Sequence, residues 1–292
     1  MSAWDPQRVG PPAIGADDPL AKAGGENFPV ALRVLPPRIR NDLQALYRFA
    51  RHVDDTGDLG NGDRMARLRT LDALRADVLA LYDGSRAPSD PVVAALASPI
   101  ARRRLPADPL LRLIEANRQD QRVSRYATFD DLVGYCRLSA NPVGELVLHV
   151  FGKATPERVE LSDRICTGLQ LVEHWQDVAE DYRMGRVYLP QEDLHAFGVA
   201  ETDLALPSAS AALRSLIAFE TERAEAWLIA GTPLLAALTG RARLAVSGYI
   251  AGGRAACTAL RRGDYDPLRR VPKPTSRHVA GAWLRSVARG WG

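Results

Sequence analysis

The sequence predicts an all-α protein, and three observations support this. Apolar residues recur at helical spacing along most of the 292 residues, for example at Ile39, Leu43 and Leu46. Alternating β-branched stretches, which half-buried strands need, are very few. The segments that interrupt the periodicity are short, and no repeat of fixed length is present, so we expect one compact helical domain.

The helices follow in order from this periodicity and from the breakers between them. The first is expected over 38–58, where Ala50 and Val53 continue the apolar face, and it should end near Gly57 or Gly60. Short connections such as DGSRAPSD, GKATP and RGDYDP separate later helices. We predict these later helices at 65–82, 91–98, 109–125, 129–139, 143–151, 156–183, 209–230, 232–263 and 276–288.

Composition limits the class of protein. The longest apolar runs, LVLHVFG and WLIAGTPLLAAL, are shorter than the roughly 20 residues that span a bilayer, so no transmembrane helix is expected. Residues 1–24 are rich in Pro, Gly and Asp and lack the pattern of a secretory signal. We therefore expect a flexible tail at 1–24 and a single domain at 25–292.

Cysteine usage and net charge suggest no specific partner. Cys136, Cys166 and Cys257 have neither metal-ligand spacing nor an even count, so we expect reduced thiols in a cytoplasmic protein. The formal charge of +3 is the difference between 38 Lys and Arg and 35 Asp and Glu. Such a small difference argues weakly about any partner, and no nucleic-acid partner is expected.

The first helix carries an acidic stripe. Tyr47, Arg51, Asp54 and Asp58 follow one another at offsets of four, three and four residues, which places them along one side of the helix. Asp55 lies beside this stripe. We call these five residues the first acidic stripe.

A similar stripe occurs in the segment EHWQDVAED. Gln170, Glu173, Asp177 and Asp181 follow at offsets of three, four and four, and we call these four residues the second acidic stripe. Glu180 and His174 lie at its edges, and Arg183, Arg186 and Tyr188 follow it. Like charges one turn apart repel, so each stripe is either a solvated face or the ligand set of a strongly positive group.

The basic and aromatic neighbours favour a ligand set. Carboxylates one turn apart suit hard cations, and Mg²⁺ commonly takes one or two protein carboxylates while phosphates and waters complete its shell. Arginines beside them would bind phosphate in a bidentate manner. Zinc is less favoured, because no Cys/His quartet has suitable spacing. Two such stripes facing each other would hold a diphosphate between metal ions.

These residues resemble the head-to-head trans-isoprenyl diphosphate synthases, the family of squalene, phytoene and dehydrosqualene synthases. YRFARHVDDTGD resembles the first aspartate-rich motif, and LQLVEHWQDVAEDYRMGRVYLPQEDL the second. The resemblance extends from ENFPVA at residue 26 to about residue 270. It implies an all-α isoprenoid-synthase helical bundle around a central cavity.

Several stretches look most like the bacterial hydroxysqualene synthase branch of hopanoid biosynthesis. These include ENFPVA, SDRICTGLQL and the long segment NRQDQRVSRYATFDDLVGYCRLSANPVGELVL. Phytoene and dehydrosqualene synthases usually have Ala-Gly-Thr-Val-Gly where this chain has SANPVG. The nearest enzymatic alternative is a phytoene or squalene synthase that itself condenses two prenyl diphosphates. A non-catalytic assembly or scaffold protein with this fold is a further alternative, against which the intact aspartates argue.

Residue roles follow from the resemblance, position by position. It implies that the metal ligands are Asp54, Asp55, Asp58, Asp177 and Asp181. It assigns catalytic roles near the diphosphate to Tyr47, Arg51, Tyr188 and Tyr249. Substrate contacts are implied for Asn27, Phe28, Arg51, Tyr135, Ser139, Gly144, Gln170 and Arg186. Many relatives have Asn at the position of Glu173, so this carboxylate is an additional expected ligand that puts the metal count or spacing in question.

The implied reaction is the ionisation of presqualene diphosphate with Mg²⁺, followed by quenching of the rearranged C30 cation with water. This makes the enzyme a carbon–oxygen lyase acting on a diphosphate. An apolar pocket should protect the cation, and no NADPH is expected because water, not hydride, ends the reaction. Pathway partners would be a presqualene diphosphate synthase and a dehydroxylase.

Features outside the stripes have plainer interpretations. His52 and His174 are expected to be hydrogen-bonding groups more than catalysts, Trp175 a core residue, and Cys136 and Cys166 small buried apolar groups. The C-terminal SRHVAGAWLRSVARGWG mixes arginines with tryptophans. This segment suits peripheral docking on the inner membrane face, a last packed helix, or an interface with a pathway enzyme.

Overall fold

The computed structural model describes residues 35–58 and 63–269. The all-α prediction is confirmed for this part of the chain, which contains no strand and a single isolated bridge between Arg125 and Val187. Its α-helices are α1 (Pro37–Asp58), α2 (Arg64–Asp83), α3 (Pro91–Ala94), α4 (Ala97–Arg103), α5 (Ala107–Asp120), α6 (Phe129–Ser139), α7 (Asn141–Val150), α8 (Pro156–Gln176), α9 (Val178–Arg183), α10 (Gln191–Ala196), α11 (Ala211–Ala230), α12 (Leu234–Ala237) and α13 (Gly240–Arg262). A 3₁₀ turn at Glu201–Ala205 lies between α10 and α11.

Side-chain caps fix the starts of several helices. The Asp63 carboxylate accepts the Ala66 N–H at the start of α2, at 2.8 Å. Thr128 and Asp131 form a reciprocal capping box at the start of α6. At the starts of α8 and α11, the Thr155 and Ser210 hydroxyls each accept a backbone N–H, from Arg158 and Leu213 respectively. Local sequence therefore sets where these helices begin.

Two apolar clusters form the core. One includes Leu171, Trp175 and Leu216 and joins α8 to α11 and α13. The other includes Phe49 and Val53 and lies where α1 meets α2, α5 and α7. The apolar side of α1 is buried here, so the acidic stripe on its other side faces away from this cluster.

Helix α8 is the central element, with neighbours α7, α11 and α13. Its approach to α11 depends on Gly168, where a Cβ atom would lie 2.9 Å from the Ala224 carbonyl oxygen and 2.9 Å from the Leu228 amide nitrogen. Only glycine permits this backbone contact, which is tighter than real Cβ atoms allow. The α8–α11 packing thereby places the second acidic stripe.

Several predicted boundaries were wrong. The predicted helix at 156–183 breaks at Asp177, whose ψ of 12° leaves the helical region although no Gly or Pro adjoins that position. The predicted helix at 232–263 divides into α12 and α13, because Leu238 is extended and Gly240 has a φ of +57°. The predicted helix at 91–98 divides into α3 and α4, and the one at 109–125 ends at Asp120. The short helix α10 and the 3₁₀ turn were not predicted.

The predicted tail at 1–24 and the predicted helix at 276–288 lie outside the described residues. Asn27, Phe28 and the C-terminal arginine- and tryptophan-containing segment also lie outside them. No helix within 35–58 and 63–269 combines the length and the apolar character needed to cross a bilayer.

Candidate functional site

A cavity of about 290 Å³ opens between α1, α5, α7, α8 and α13. The first acidic stripe reaches it through Tyr47, Arg51 and Asp54, and the second through Gln170 and Glu173. Apolar side chains form most of the remaining wall: Leu43, Leu46, Ala50, Leu113, Ala140, Val143, Leu146, Val147 and Leu169. The cavity therefore has a charged side made by both stripes and an apolar side.

Tyr249, Ser139 and Gly144 line one or both of two adjoining cavities. Tyr249 and Ser139 line the main cavity, with Ser139 one turn beyond Tyr135 on α6. A second, apolar cavity of about 40 Å³ is lined by Gly144 together with Cys166 and Tyr249, which also line the first. The two cavities thus share walls, and the central pocket extends between α7, α8 and α13.

The two acidic stripes meet through Arg186. Its guanidinium Nη2 lies 2.6 Å from Oδ1 of Asp58 on α1. The Arg186 amide donates to the Asp181 carbonyl oxygen at 2.9 Å, and the next amide, of Val187, donates to Ser124 at 2.9 Å. The segment after the second stripe is therefore held at both sides, and its arginine reaches the first stripe.

Within the first stripe, Arg51 and Asp55 form an ion pair one turn apart, at 2.9 Å. Asp54 accepts a hydrogen bond from the Asn117 amide at 2.9 Å. Asp54 is accessible from the cavity, yet burial by the surrounding protein raises its pKa to about 6. Asp58 and Asp55 add to this rise, and Asn117 and Arg51 oppose it.

The second stripe is even more crowded with negative charge. Burial raises the pKa of Asp181 to about 8, and repulsion by Asp177, Glu180 and Glu173 acts in the same direction. Arg186 opposes this rise. Both stripes therefore concentrate more negative charge than their own arginines neutralise, and a bound cation would stabilise the ionised carboxylates.

These residues fit Mg²⁺ held together with a diphosphate better than a metal held by protein alone. Within the described residues, no three His, Cys, Asp or Glu side chains converge closely enough to hold a metal ion by themselves. Mg²⁺ needs only one or two protein carboxylates when phosphates and waters complete its octahedron. The carboxylate oxygens of the two acidic stripes are the available metal ligands. The guanidinium groups of Arg51 and Arg186 suit phosphate.

Tyr135 and Tyr188 belong to a buried aromatic cluster, and neither lines the main cavity. The Tyr188 ring stacks on His174 with centroids 3.8 Å apart, and its centroid lies 5.6 Å from that of Tyr135 and 5.8 Å from that of Tyr126. His174 is buried, which lowers its pKa to about 3, with Arg186 acting in the same direction. The imidazole is therefore neutral and packs against Tyr188.

The remaining histidine beside a stripe faces elsewhere. His52 Nε2 lies 2.9 Å from Oδ2 of Asp90, the residue that caps α3, so this contact links α1 to α3.

The predictions for the buried residues outside the stripes can also be compared with the structure. Trp175 and Cys136 are fully buried, as predicted. Cys166 is partly buried at the cavity wall, where desolvation raises the pKa of its thiol to about 12. The thiol is consequently protonated at neutral pH and acts as a small wall group.

The sequence interpretation missed a third polar segment, at the end of α5. Asn117 binds Asp54, and the Gln121 amide donates to the Gly57 carbonyl oxygen at 3.1 Å. Between them, Asp120 accepts a hydrogen bond from the Tyr135 hydroxyl at 2.7 Å. The signal was present in NRQDQ, whose polar residues recur at offsets of three and four, but helical spacing alone does not tell a site from a solvated face.

The glycine at position 57 permits this contact. A Cβ atom there would lie 2.3 Å from the Asn117 side-chain oxygen. The close approach of α5 to the end of α1 therefore requires glycine at this position.

Comparison with known proteins agrees with this geometry. The family model for squalene/phytoene synthase matches residues 21–278. A hydroxysqualene synthase from Rhodopseudomonas palustris is 38% identical over 212 residues, which are 72% of this chain and 70% of the relative. A squalene synthase structure from Alicyclobacillus acidocaldarius is 40% identical, with a TM-score of 0.76 over 84% of this chain and 92% of the other.

A further comparison concerns the fold as a whole. The structure of a dehydrosqualene synthase in complex with a ligand has a TM-score of 0.84, with 25% identity, over 93% of this chain and 94% of the other. This chain belongs to the squalene/phytoene synthase family.

Proposed function

We propose that this protein is a Mg²⁺-dependent hydroxysqualene synthase. In this proposal it ionises presqualene diphosphate and quenches the rearranged C30 cation with water, releasing hydroxysqualene and diphosphate. The observation that carries the proposal is the Arg186–Asp58 contact, which brings the two acidic stripes together beside a cavity with an apolar wall. The relative from Rhodopseudomonas palustris supports this branch of the family.

The charged side of the cavity suits a diphosphate. Arg51 lines the cavity, and Arg186 lies where the two stripes meet. Both would donate hydrogen bonds to oxygens on which negative charge develops as the carbon–oxygen bond breaks. Their existing partners, Asp55 and Asp58, hold them in place before substrate arrives.

The expected holders of Mg²⁺ are Asp54, Asp55, Asp58, Asp177 and Asp181, with Glu173 as an additional carboxylate. When bound, the ions would neutralise charge on the leaving diphosphate. Bound Mg²⁺ would stabilise the ionised forms of Asp54 and Asp181 most, because burial and neighbouring carboxylates disfavour the charged forms of these two residues. Glu173 lines the cavity itself, next to Gln170, whereas Asp177 and Asp181 do not line it.

The apolar side of the cavity suits a prenyl chain. Leu43, Leu46, Leu146, Val147 and Leu169 exclude water from most of the wall, which protects a carbocation from premature capture. One water must still reach the cation at the end of the reaction. Since that water supplies the final substituent, no NADPH enters the proposed mechanism.

The alternative is a synthase that condenses two farnesyl groups itself, and product analysis separates the two. Purified protein with Mg²⁺ would be given presqualene diphosphate in one reaction and farnesyl diphosphate in another. We expect hydroxysqualene from the first and no C30 product from the second. Turnover of farnesyl diphosphate alone to squalene or a carotenoid precursor would contradict the proposal.

The second alternative is a non-catalytic scaffold. Undiminished cellular function in the Asp54→Ala and Asp177→Ala variants would favour it.

The cellular setting follows from the proposed chemistry. A presqualene diphosphate synthase would supply the substrate, and a dehydroxylase would consume the alcohol. Both substrate and product carry a C30 hydrocarbon chain, so we propose a cytoplasmic enzyme that contacts the inner membrane face through its C-terminal segment. Deletion of residues 276–292 should then reduce co-sedimentation with liposomes, and unchanged co-sedimentation would rule out this contact.

A further inference from the structure

Asp120 is a carboxylate beside the site that has no role in the mechanism so far. Its Oδ2 accepts the Tyr135 hydroxyl at 2.7 Å. Its Oδ1 is buried and has no hydrogen-bond partner among the described residues. A buried carboxylate oxygen without a partner is unusual, because desolvation is costly unless a hydrogen bond offsets it.

Asp120 lies within the electrostatic reach of both stripes. Asp54 and Asp58 of the first stripe raise its pKa, and Arg186, which follows the second, lowers it. Asn117, one turn earlier on α5, is hydrogen-bonded to Asp54. This side of α5 therefore faces the charged side of the cavity.

Tyr135 connects Asp120 to the cavity wall. Its hydroxyl binds Asp120, and its carbonyl oxygen accepts the hydroxyl of Ser139, a residue that lines the cavity. The Tyr135 ring is held between Tyr126 and Tyr188, with centroids 5.5 and 5.6 Å away. The ring packing thus fixes the phenol with its hydroxyl on Asp120, and the Tyr135 backbone lies one helical turn before Ser139 of the cavity wall.

The proposed reaction requires a proton acceptor in this region. When water captures a carbocation, one proton must leave the new alcohol. His174 is already engaged, because its Nε2 lies 3.2 Å from the Gln170 side-chain nitrogen and its ring stacks on Tyr188. Burial raises the pKa of Asp120 to about 7, near the operating pH that favours a general base.

We propose that Asp120 receives the proton of the quenching water through Tyr135. The water oxygen forms a bond to the cation, and one water O–H bond breaks. That proton passes to the Tyr135 oxygen while the original Tyr135 proton passes to Asp120 Oδ2, which changes from carboxylate to carboxylic acid. Charge and atoms balance, with a cation, water and a carboxylate giving an alcohol and a carboxylic acid.

This inference rests on the proposed function, and product partition tests it separately. Asp120→Asn and Tyr135→Phe would be incubated with presqualene diphosphate and Mg²⁺, with diphosphate release and products measured together. We expect hydroxysqualene formation to fall roughly 100-fold in both variants. Diphosphate release should fall less, because ionisation precedes the proton transfer, and the remaining cation should leave as hydrocarbon.

Controls distinguish this role from a structural one. Asp130→Asn, at an exposed position in the first turn of α6, should keep the wild-type product ratio. Asp120→Glu retains a carboxylate and should restore part of the alcohol fraction. If Asp120→Asn does not fold, Tyr135→Phe, which keeps the ring packing, still tests the proposal.

The contradicting outcomes differ for the two proposals. An unchanged alcohol fraction in Tyr135→Phe or in folded Asp120→Asn would overturn the role of Asp120 and would indicate that diphosphate takes the proton. If wild-type protein consumes presqualene diphosphate but makes no hydroxysqualene, the proposed function itself fails.

Discussion

Among single residues, Glu173 has the most specific placement. It projects into the cavity beside Gln170, whereas Asp177 lies at the break between α8 and α9 and Asp181 lies within α9. Its charge also raises the pKa of Asp181. An amide at this position would relieve that repulsion but would bind Mg²⁺ more weakly than a carboxylate does.

Replacing Glu173 by Gln tests which effect dominates. If Glu173 is a ligand, the Mg²⁺ concentration for half-maximal activity should rise roughly threefold to tenfold, which corresponds to about 1 kcal/mol. The melting temperature without Mg²⁺ should stay equal or rise, since one repulsive charge is removed. Titration calorimetry with Mg²⁺ and diphosphate checks the affinity. An unchanged Mg²⁺ requirement would show that Glu173 is not a ligand.

Arg186 and Asp58 should matter far more for activity than for stability. Their contact joins two partly exposed side chains, and such pairs contribute about 0–1 kcal/mol to folding. Asp58→Asn and Arg186→Gln should therefore unfold at nearly wild-type urea concentrations. Loss of a donor to the leaving group should nevertheless reduce kcat by roughly 100-fold in Arg186→Gln. A variant with wild-type kcat would remove Arg186 from the diphosphate site.

At the level of elements, α8 and α11 are held together by a contact that a single methyl group would disturb. Gly168→Ala should destabilise the fold by roughly 1–3 kcal/mol, because its Cβ would meet the α11 backbone. Gly134→Ala on α6 is the matched control: no atom lies within 4 Å of the added Cβ, so helix propensity should stabilise by about 0.5–1 kcal/mol. Urea unfolding of both variants measures the difference, and equal stabilities would contradict the close approach.

The connection between α2 and α3 should add acid sensitivity. Burial would raise the pKa of Asp77, but hydrogen bonds from the Asp90 amide and Ser89, and the ion pair with Arg86, outweigh it and lower that pKa. A lowered folded-state pKa stabilises the protein above the unfolded value of about 4. This contribution is lost as pH falls through the folded pKa.

Urea unfolding measured from about pH 2.5 to about pH 7 checks whether stability depends on the ionisation of Asp77. Asp77→Asn should be less stable than wild type at neutral pH, and the difference should shrink in acid. A constant difference across this range would contradict the role assigned to the Asp77 carboxylate.

Sequence periodicity predicted the elements that have strong local signals. The first helix and α6 were placed almost to the residue, because an apolar face or a capping box marks them. The break at Asp177 could not be predicted, since residues 156–183 keep one apolar period and the glycine within them, Gly168, lies inside the continuous part of α8. The polar end of α5 was missed for a different reason. Asn117 and Asp120 are identified as site residues only by their hydrogen bonds to Asp54 and Tyr135, which are distant in sequence.

At the scale of the whole molecule, helix packing explains why α1 and the α8–α9 segment each carry a dense acidic stripe. The two stripes share one cavity and one bridging arginine, and α5 adds polar groups from a third direction. Helix packing at Gly168 and Gly57 sets these distances. The fold therefore builds one cavity with a charged side and an apolar side, which are the two features that the proposed prenyl diphosphate substrate requires.

The most direct test of this account is a single-turnover reaction of purified protein with presqualene diphosphate and Mg²⁺ in ¹⁸O-labelled water. We expect diphosphate release together with hydroxysqualene that carries one ¹⁸O atom, because the hydroxyl group derives from water. Diphosphate release without a labelled alcohol, or an alcohol that retains the oxygen of the substrate, would contradict it.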